Sequence, residues 1–363
     1  MHGGLYELNA IHYLHKSLNQ FHHPNENHLQ QMTTKQIVLF SRPNGKPVIE
    51  NFQTNDFELP EINDKEVLLK AMFLSVDPYM RGRMNDAKSY VPPFELGKPI
   101  NGGVIAKVVK SNSINFKEND IVTGNLPWQQ HCIARETDLI KIDTSTAPAS
   151  YYLGILGMPG LTAYFGLMHI GKPKAGETVV VSGAAGAVGI IVGQIAKLQG
   201  CRVVGIAGSD EKVKLLKEEF GFDEVINYKT SGDIKKSIAE VCPKAVDIYF
   251  DNVGGEISDS VISNINFNAR IVLCGQIALY NSTEIPMGPR LQPILLTRSV
   301  LMQGFINTNY KSQFEEGLSH LNLWHKEGKL KYKETILKGF DKLPAALLGL
   351  FEGDNIGKMI VEA

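Results

Sequence analysis

The segment Ser182-Gly183-Ala184-Ala185-Gly186-Ala187-Val188-Gly189 constrains the fold of this chain more than any other. It follows a short apolar run, Val179-Val180-Val181, and opens a helical stretch that reaches Leu198. Small residues let the backbone turn sharply. The turn's N–H groups and the positive helix end are then free to hold an anion. Gly189 lets the helix pack closely on the strand. A strand before the turn and a helix after it are the context that a dinucleotide pyrophosphate site requires.

The elements that follow fit the same plan. Strand-like runs at Arg202 to Ile206, Glu224 to Ile226, Val246 to Phe250 and Arg270 to Cys274 alternate with helical stretches. The helices are predicted over Asp210 to Phe220, near Asp233 to Val241, and from about Ser258. Strands alternating with helices predict a parallel sheet covered on both faces, in the doubly wound α/β class. The tip of the second strand indicates the dinucleotide. An NAD site places an acid there, about 20 residues past the turn. Here the tip reads Gly205-Ile206-Ala207-Gly208-Ser209, with Asp210 close by. Lys212 follows, where it can neutralise a 2′-phosphate, so the expected cofactor is NADP (NADPH).

Residues 32–150 have another texture, with short strands at Ile37 to Phe40, Val67 to Met72 and Val104 to Val109 and frequent Pro and Gly. They predict a β-rich, barrel-like unit. A strand at Ile356 to Val361 can return to it and make it discontinuous. Lys329, Lys331 and Lys333 alternate with Leu330 and Tyr332, which predicts a solvated strand face. Residues 1–31 are set apart by His2, His12, His15, His22, His23 and His28, which show no regular ligand spacing. Leu5, Leu8, Ile11, Leu14, Leu18 and Phe21 permit an amphipathic helix there. The segment is read as a disordered or dispensable leader, with Met32 as the natural start.

Lys plus Arg number 37 and Asp plus Glu 38, a net charge of −1, which argues against nucleic acid as a partner. Cys132, Cys201, Cys242 and Cys274 are too scattered for a disulfide framework or a metal knuckle. With no secretory signal and no convincing membrane span, a soluble cytoplasmic protein is expected.

Several segments together resemble one family. They are Ser75-Val76-Asp77-Pro78-Tyr79-Met80-Arg81, Gly157 to Gly166, Ala184 to Gly189, Gly208 to Lys212, Phe250 to Gly255, and Gly353 to Lys358. From Met32 onward the chain resembles the zinc-independent medium-chain reductases. The branch is that of leukotriene hydroxydehydrogenase/prostaglandin reductase, NADPH-dependent curcumin reductase and plant alkenal double-bond reductases.

The resemblance implies a GroES-like, partly open β-barrel catalytic domain (32–155 and 324–363) and a Rossmann domain (156–323), with the active site between them. It implies a homodimer. Gly186, Ala187, Val188 and Gly189 would hold the pyrophosphate, and Ser209, Lys212 and Tyr228 the 2′-phosphate and ribose. The nicotinamide half would be lined by Asn252, the run Cys274, Gly275, Gln276 to Tyr280, the Phe305-Ile306-Asn307 backbone, and Asn355. Related zinc enzymes need a Gly-His-Glu ligand segment. Here Gly97-Lys98-Pro99-Ile100-Asn101 stands instead, and neighbouring His131 and Cys132 point to opposite strand faces, so no metal is expected.

Without zinc, the chemistry suits a small molecule that accepts hydride at carbon, such as an α,β-unsaturated ketone or aldehyde. The protein must then donate a hydrogen bond to the carbonyl oxygen. Tyr280 is the expected donor and Tyr79 the second candidate; Arg81 either fixes the Tyr79 loop or makes a surface salt bridge. One departure is Thr297, which stands where some prostaglandin reductases carry a tyrosine. The loop Pro286-Met287-Gly288-Pro289 is expected to cap the pocket. Quinone reduction, or NADPH binding without catalysis, remain the alternatives.

Overall fold

The computed structural model describes residues 32–363; the expected leader at residues 1–31, with its histidines and amphipathic helix, lies outside them. β1 (Thr33–Leu39) and β2 (Phe52–Glu58) form an antiparallel ribbon. Next come β3 (Glu66–Ser75), β4 (Asn101–Ser111), β5 (Ile121–Pro127), β6 (His131–Arg135) and β7 (Leu139–Lys141). In β3, Val67, Leu69 and Ala71 alternate inward to the core that also buries Trp128, the period-two pattern of a sheet with one packed face. The turn α1 (Met80–Arg83) follows β3.

The second sheet holds β8 (Thr178–Ser182), β9 (Arg202–Ala207), β10 (Glu224–Asn227), β11 (Val246–Asp251), β12 (Ile265–Leu273) and β13 (Leu301–Gly304). All its pairings are parallel and its order is β10-β9-β8-β11-β12-β13, the doubly wound order. The central strand β8 is buried throughout, which is why it reads as a continuous apolar run. The helices are α2 (Met158–Phe165), α3 (Gly189–Leu198), α4 (Asp210–Glu218), α5 (Ile234–Val241), α6 (Gly255–Ile262), α7 (Gln292–Thr297), α8 (Phe314–Lys326) and α9 (Leu343–Glu352). Ser209 Oγ caps α4 by accepting from Lys212 N at 3.3 Å, and Asp233 Oδ1 caps α5 by accepting from Lys236 N at 3.1 Å.

β14 (Glu334–Lys338) and β15 (Lys358–Glu362) rejoin the first sheet, whose order is β14-β15-β3-β4-β5-β7 with β6 on β3. Val361 lies opposite Leu74, so the end of the chain completes the unit that the beginning starts.

Three elements differ from the sequence expectation. α6 starts at Gly255, ahead of Ser258, because Asp251 Oδ1 accepts from the Val253 and Gly254 N–H groups and ends β11 abruptly. β12 begins at Ile265, ahead of Arg270, because a bulge interrupts its register against β11 between Val246 and Ile248. The Lys329–Lys333 series alternates in burial but is not a strand. Its central peptide is taken by a side chain: Lys331 N donates to Gln194 Oε1 at 2.8 Å and Gln194 Nε2 donates to Lys331 O at 2.9 Å.

Candidate active site

The site starts where the sheet order reverses, at the carboxyl ends of β8 and β11. β8 runs into the glycine-rich turn, and α3 begins at Gly189. A Cβ at Gly189 would collide with the Gly183 carbonyl oxygen, so only glycine allows this approach. Below the turn, the buried carboxylate of Asp251 gathers the strand ends. Its Oδ1 accepts from Ser182 Oγ at 3.0 Å and from Tyr249 Oη at 2.8 Å. Asn252 is fixed in turn: its N–H donates to Ser182 Oγ at 3.0 Å and its Nδ2 to Ser182 O at 2.8 Å.

From the turn a cavity of about 1770 Å³ extends to Tyr79 and Tyr280. That exceeds the ~300–1,000 Å³ of an ordinary small-ligand pocket and leaves room for a dinucleotide and a second molecule. At one end lie Ser209, Lys212, Tyr228 and Lys229. Burial lowers the Lys212 pKa, and Lys229 adds to the shift. Asp210 is not on the cavity wall; its Oδ1 accepts from Asn227 Nδ2 at 2.7 Å. The strand tip therefore presents cations and no acid to the cavity.

At the other end Tyr280 Oη accepts from the Gln276 N–H at 3.2 Å, and the phenol's own hydrogen meets no acceptor among the described residues. Burial raises the pKa of Tyr280, and that of Tyr79 too, where nearby Asp77 reinforces it. Burial also pushes the Cys274 thiol up to about 12. Ser75, Asp77 and Lys358 form part of the wall. Lys358 Nζ donates to Asp77 Oδ1 at 2.9 Å and to Val76 O at 2.7 Å, and Ser75 Oγ donates to Asp77 Oδ2 at 2.5 Å. The residue before Lys358 reaches the phosphate turn: Gly357 N donates to Ala185 O at 2.8 Å.

The cavity brings together nearly all the positions singled out from the sequence. Gly186, Ala187, Val188 and Gly189 line it, as do Asn252, Cys274 and Gly275, and Phe305, Ile306, Asn307 and Asn355. Gln276 does not, and serves through its N–H to Tyr280. Thr297 is exposed on α7, its Oγ1 donating to Pro293 O at 2.8 Å, and lies off the wall. The loop 286–289 does not cap the cavity; Gly288 sits beside Asp259 of α6. Among the described residues Arg81 makes no surface salt bridge; it is buried and hydrogen-bonded to neutral acceptors. Asp251, Lys229 and Lys358 were not singled out. Asp251 had a signal in its place at a parallel strand's carboxyl end before Gly254-Gly255, whereas Lys358 had none.

Two family models match the chain. One, the N-terminal domain of oxidoreductase, covers residues 35–142; the other, zinc-binding dehydrogenase, covers 187–322. A putative NADP-dependent oxidoreductase, YfmJ, from Bacillus subtilis (strain 168) is 58% identical over 330 residues, spanning 90% of this chain and 97% of that protein. The NADPH-dependent curcumin reductase of Escherichia coli (strain K12) is 42% identical over 337 residues, 92% and 97% of the two chains. The crystal structure of CurA in complex with NADPH from Vibrio vulnificus superposes with a TM-score of 0.86 at 43% identity, covering 91% and 99%.

Fold and site thus define an oxidoreductase with a GroES-like barrel and a Rossmann sheet flanking the cleft. The chain belongs to the medium-chain dehydrogenase/reductase family, in its zinc-independent reductase branch. Despite the name of the second model, no three His, Cys, Asp or Glu side chains converge as a metal-holding group among the described residues. Cys132 is buried in β6 while His131 faces the other way. This donor set does not fit zinc.

Proposed function

We propose that this protein uses NADPH to reduce the carbon–carbon double bond of α,β-unsaturated ketones and aldehydes, without zinc. One observation carries the reading: a single cavity joins the glycine-rich turn and Lys212 to an uncommitted phenol at Tyr280. The named chemistry of the curcumin reductase and the NADPH in the CurA complex support it.

Gly186 to Gly189 hold the pyrophosphate through turn N–H groups and the start of α3. Ser209, Lys212 and Tyr228 hold the 2′-phosphate and ribose, and the absence of an acid from the tip of β9 on the wall favours NADPH over NADH. Asn252, Cys274, Gly275, the 305–307 backbone and Asn355 shape the nicotinamide end. NADPH, when bound, supplies hydride to the β-carbon of the conjugated acceptor. Negative charge then builds on the substrate carbonyl oxygen, and the Tyr280 Oη–H donates a hydrogen bond to it without giving up its proton. The raised pKa keeps that phenol protonated, so it acts as donor and not as base. Tyr79 shapes the acceptor end, and a proton from solvent completes the α-carbon.

The two units of this reading are 32–155 with 324–363, and 156–323. The protein works as a cytoplasmic homodimer. Supporting this, β13 ends the second sheet with Leu301 and nearby Leu296 exposed, and all four cysteines are free thiols. Among the described residues no helix is long and apolar enough to cross a membrane.

The test is NADPH oxidation with a linear enone, a 2-alkenal and a quinone, each repeated with NADH. The saturated carbonyl compound as product, with NADPH preferred, is expected. Turnover of the quinone alone, or cofactor binding without turnover, overturns the reading.

A further inference from the structure

Arg81 is buried, yet it pairs with no carboxylate among the described residues. Its guanidinium donates to three neutral acceptors on three separate segments. Nε reaches Asn281 Oδ1 at 3.0 Å, Nη1 reaches Asn85 Oδ1 at 2.7 Å, and Nη2 reaches Gly45 O at 2.6 Å. The same segments also pack together: a Cβ built on Gly45 would lie 3.3 Å from Thr283 Cγ2 and 3.7 Å from Asn281 O. Gly45, α1 and residues 281–283 therefore meet at one point, with Arg81 at its centre.

Burying a cation without a counter-charge is costly, and such a group is weak evidence of stabilisation. What a guanidinium supplies is geometry, because its donors are held in a rigid planar fork. Asn281 is the residue after Tyr280. Tyr280 Oη is already fixed toward its own segment by the Gln276 N–H. Arg81 comes from α1, which follows the first sheet's β3, and Tyr280 from the loop that follows β12 in the second. The Arg81–Asn281 bond thus runs from one side of the cleft to the other.

We propose that Arg81 is a positioning residue, which holds the Tyr280 phenol at the cleft wall through Asn281. The proposal rests on the reading of Tyr280 as hydrogen-bond donor. Displacing a reacting group by a fraction of an ångström slows chemistry while leaving distant binding contacts intact, on the order of tenfold or more.

The experiment is a mutant cycle read with an enone. Arg81→Lys, Asn281→Ala, Tyr280→Phe and Arg81→Lys/Tyr280→Phe are compared for kcat, KM and NADPH dissociation constant. Arg81→Lys and Asn281→Ala are each expected to lower kcat about tenfold with NADPH affinity held within about twofold. In the Tyr280→Phe background Arg81→Lys is expected to change kcat by less than about twofold, because the phenol through which it acts is gone. If Arg81→Lys fails to fold, Asn281→Ala, at a half-buried position, gives the same comparison. The same loss of kcat in both backgrounds, or a parallel loss of NADPH affinity, overturns the proposal alone. An unchanged Tyr280→Phe rate overturns the donor reading, and this proposal with it.

Discussion

Lys212, at the start of α4, donates through Nζ to the carbonyl oxygen of Gly353 at 2.5 Å, where Gly353 caps α9 in the left-handed conformation. The lysine is thus held beside the cavity by a neutral acceptor and has charge to offer. A charge-assisted hydrogen bond is worth about 1.5–3 kcal/mol. Lys212→Ala is therefore expected to weaken NADPH binding by roughly 10- to 150-fold, and NADH much less. Titration of both cofactors checks this; equal losses would remove the 2′-phosphate assignment.

Tyr280→Phe should lower kcat and leave NADPH affinity unchanged. The pH profile gives a second view. Burial raises the phenol's pKa, so the donating form persists to higher pH than for a free tyrosine, near 10. The wild-type rate with an enone should show no alkaline fall from this group below that value. A wild-type limb well below 10 that vanishes in the phenylalanine variant would contradict the buried, protonated donor.

The Asp77–Lys358 pair is buried on both sides, with side chains 7% and 2% exposed. Removing one partner strands the other charge, at a cost of about 3–5 kcal/mol. Asp77→Ala and Lys358→Ala should each shift the denaturation midpoint strongly, and the double variant by less than the sum. Additive shifts would show that the pair acts as two independent residues.

The substrates proposed are electrophiles that alkylate thiolates. Burial pushes Cys274 to about 12 and Cys132 to about 12, so neither is thiolate at neutral pH. Incubation with a 2-alkenal in the absence of NADPH should leave Cys274 unmodified by mass spectrometry, although it lines the cavity. An adduct at Cys274 would mean that the thiol is far more acidic than its surroundings allow.

The parts of this molecule legible in the sequence are those written in local spacing. The Gly183–Gly189 turn is one such part, since strand, turn and helix follow within a few residues. The alternation of buried strands with helices beyond it is another. What stayed hidden depends on partners far along the chain. Arg81 and Asn281 are separated by 200 positions, and Asp77 and Lys358 by 281. No periodicity marks an arginine as buried when its acceptors are two amides and a carbonyl. The alternating Lys329–Lys333 series suggested a strand because alternation reports burial, and it cannot report that a glutamine of α3 has taken the peptide's hydrogen bonds.

Gly357 meets the phosphate turn at Ala185 and Gly186, and a Cβ there would collide with the Lys333 carbonyl. This contact lies after every other helix and nearly every strand in the order of synthesis. During synthesis domains generally fold as units, the amino-terminal one first. A growing chain therefore presents the glycine-rich turn before Gly357, which braces it, has been made. Capture of the dinucleotide then waits on Gly357, and a chain cut short just before it should fold much of its second sheet yet hold no nucleotide well.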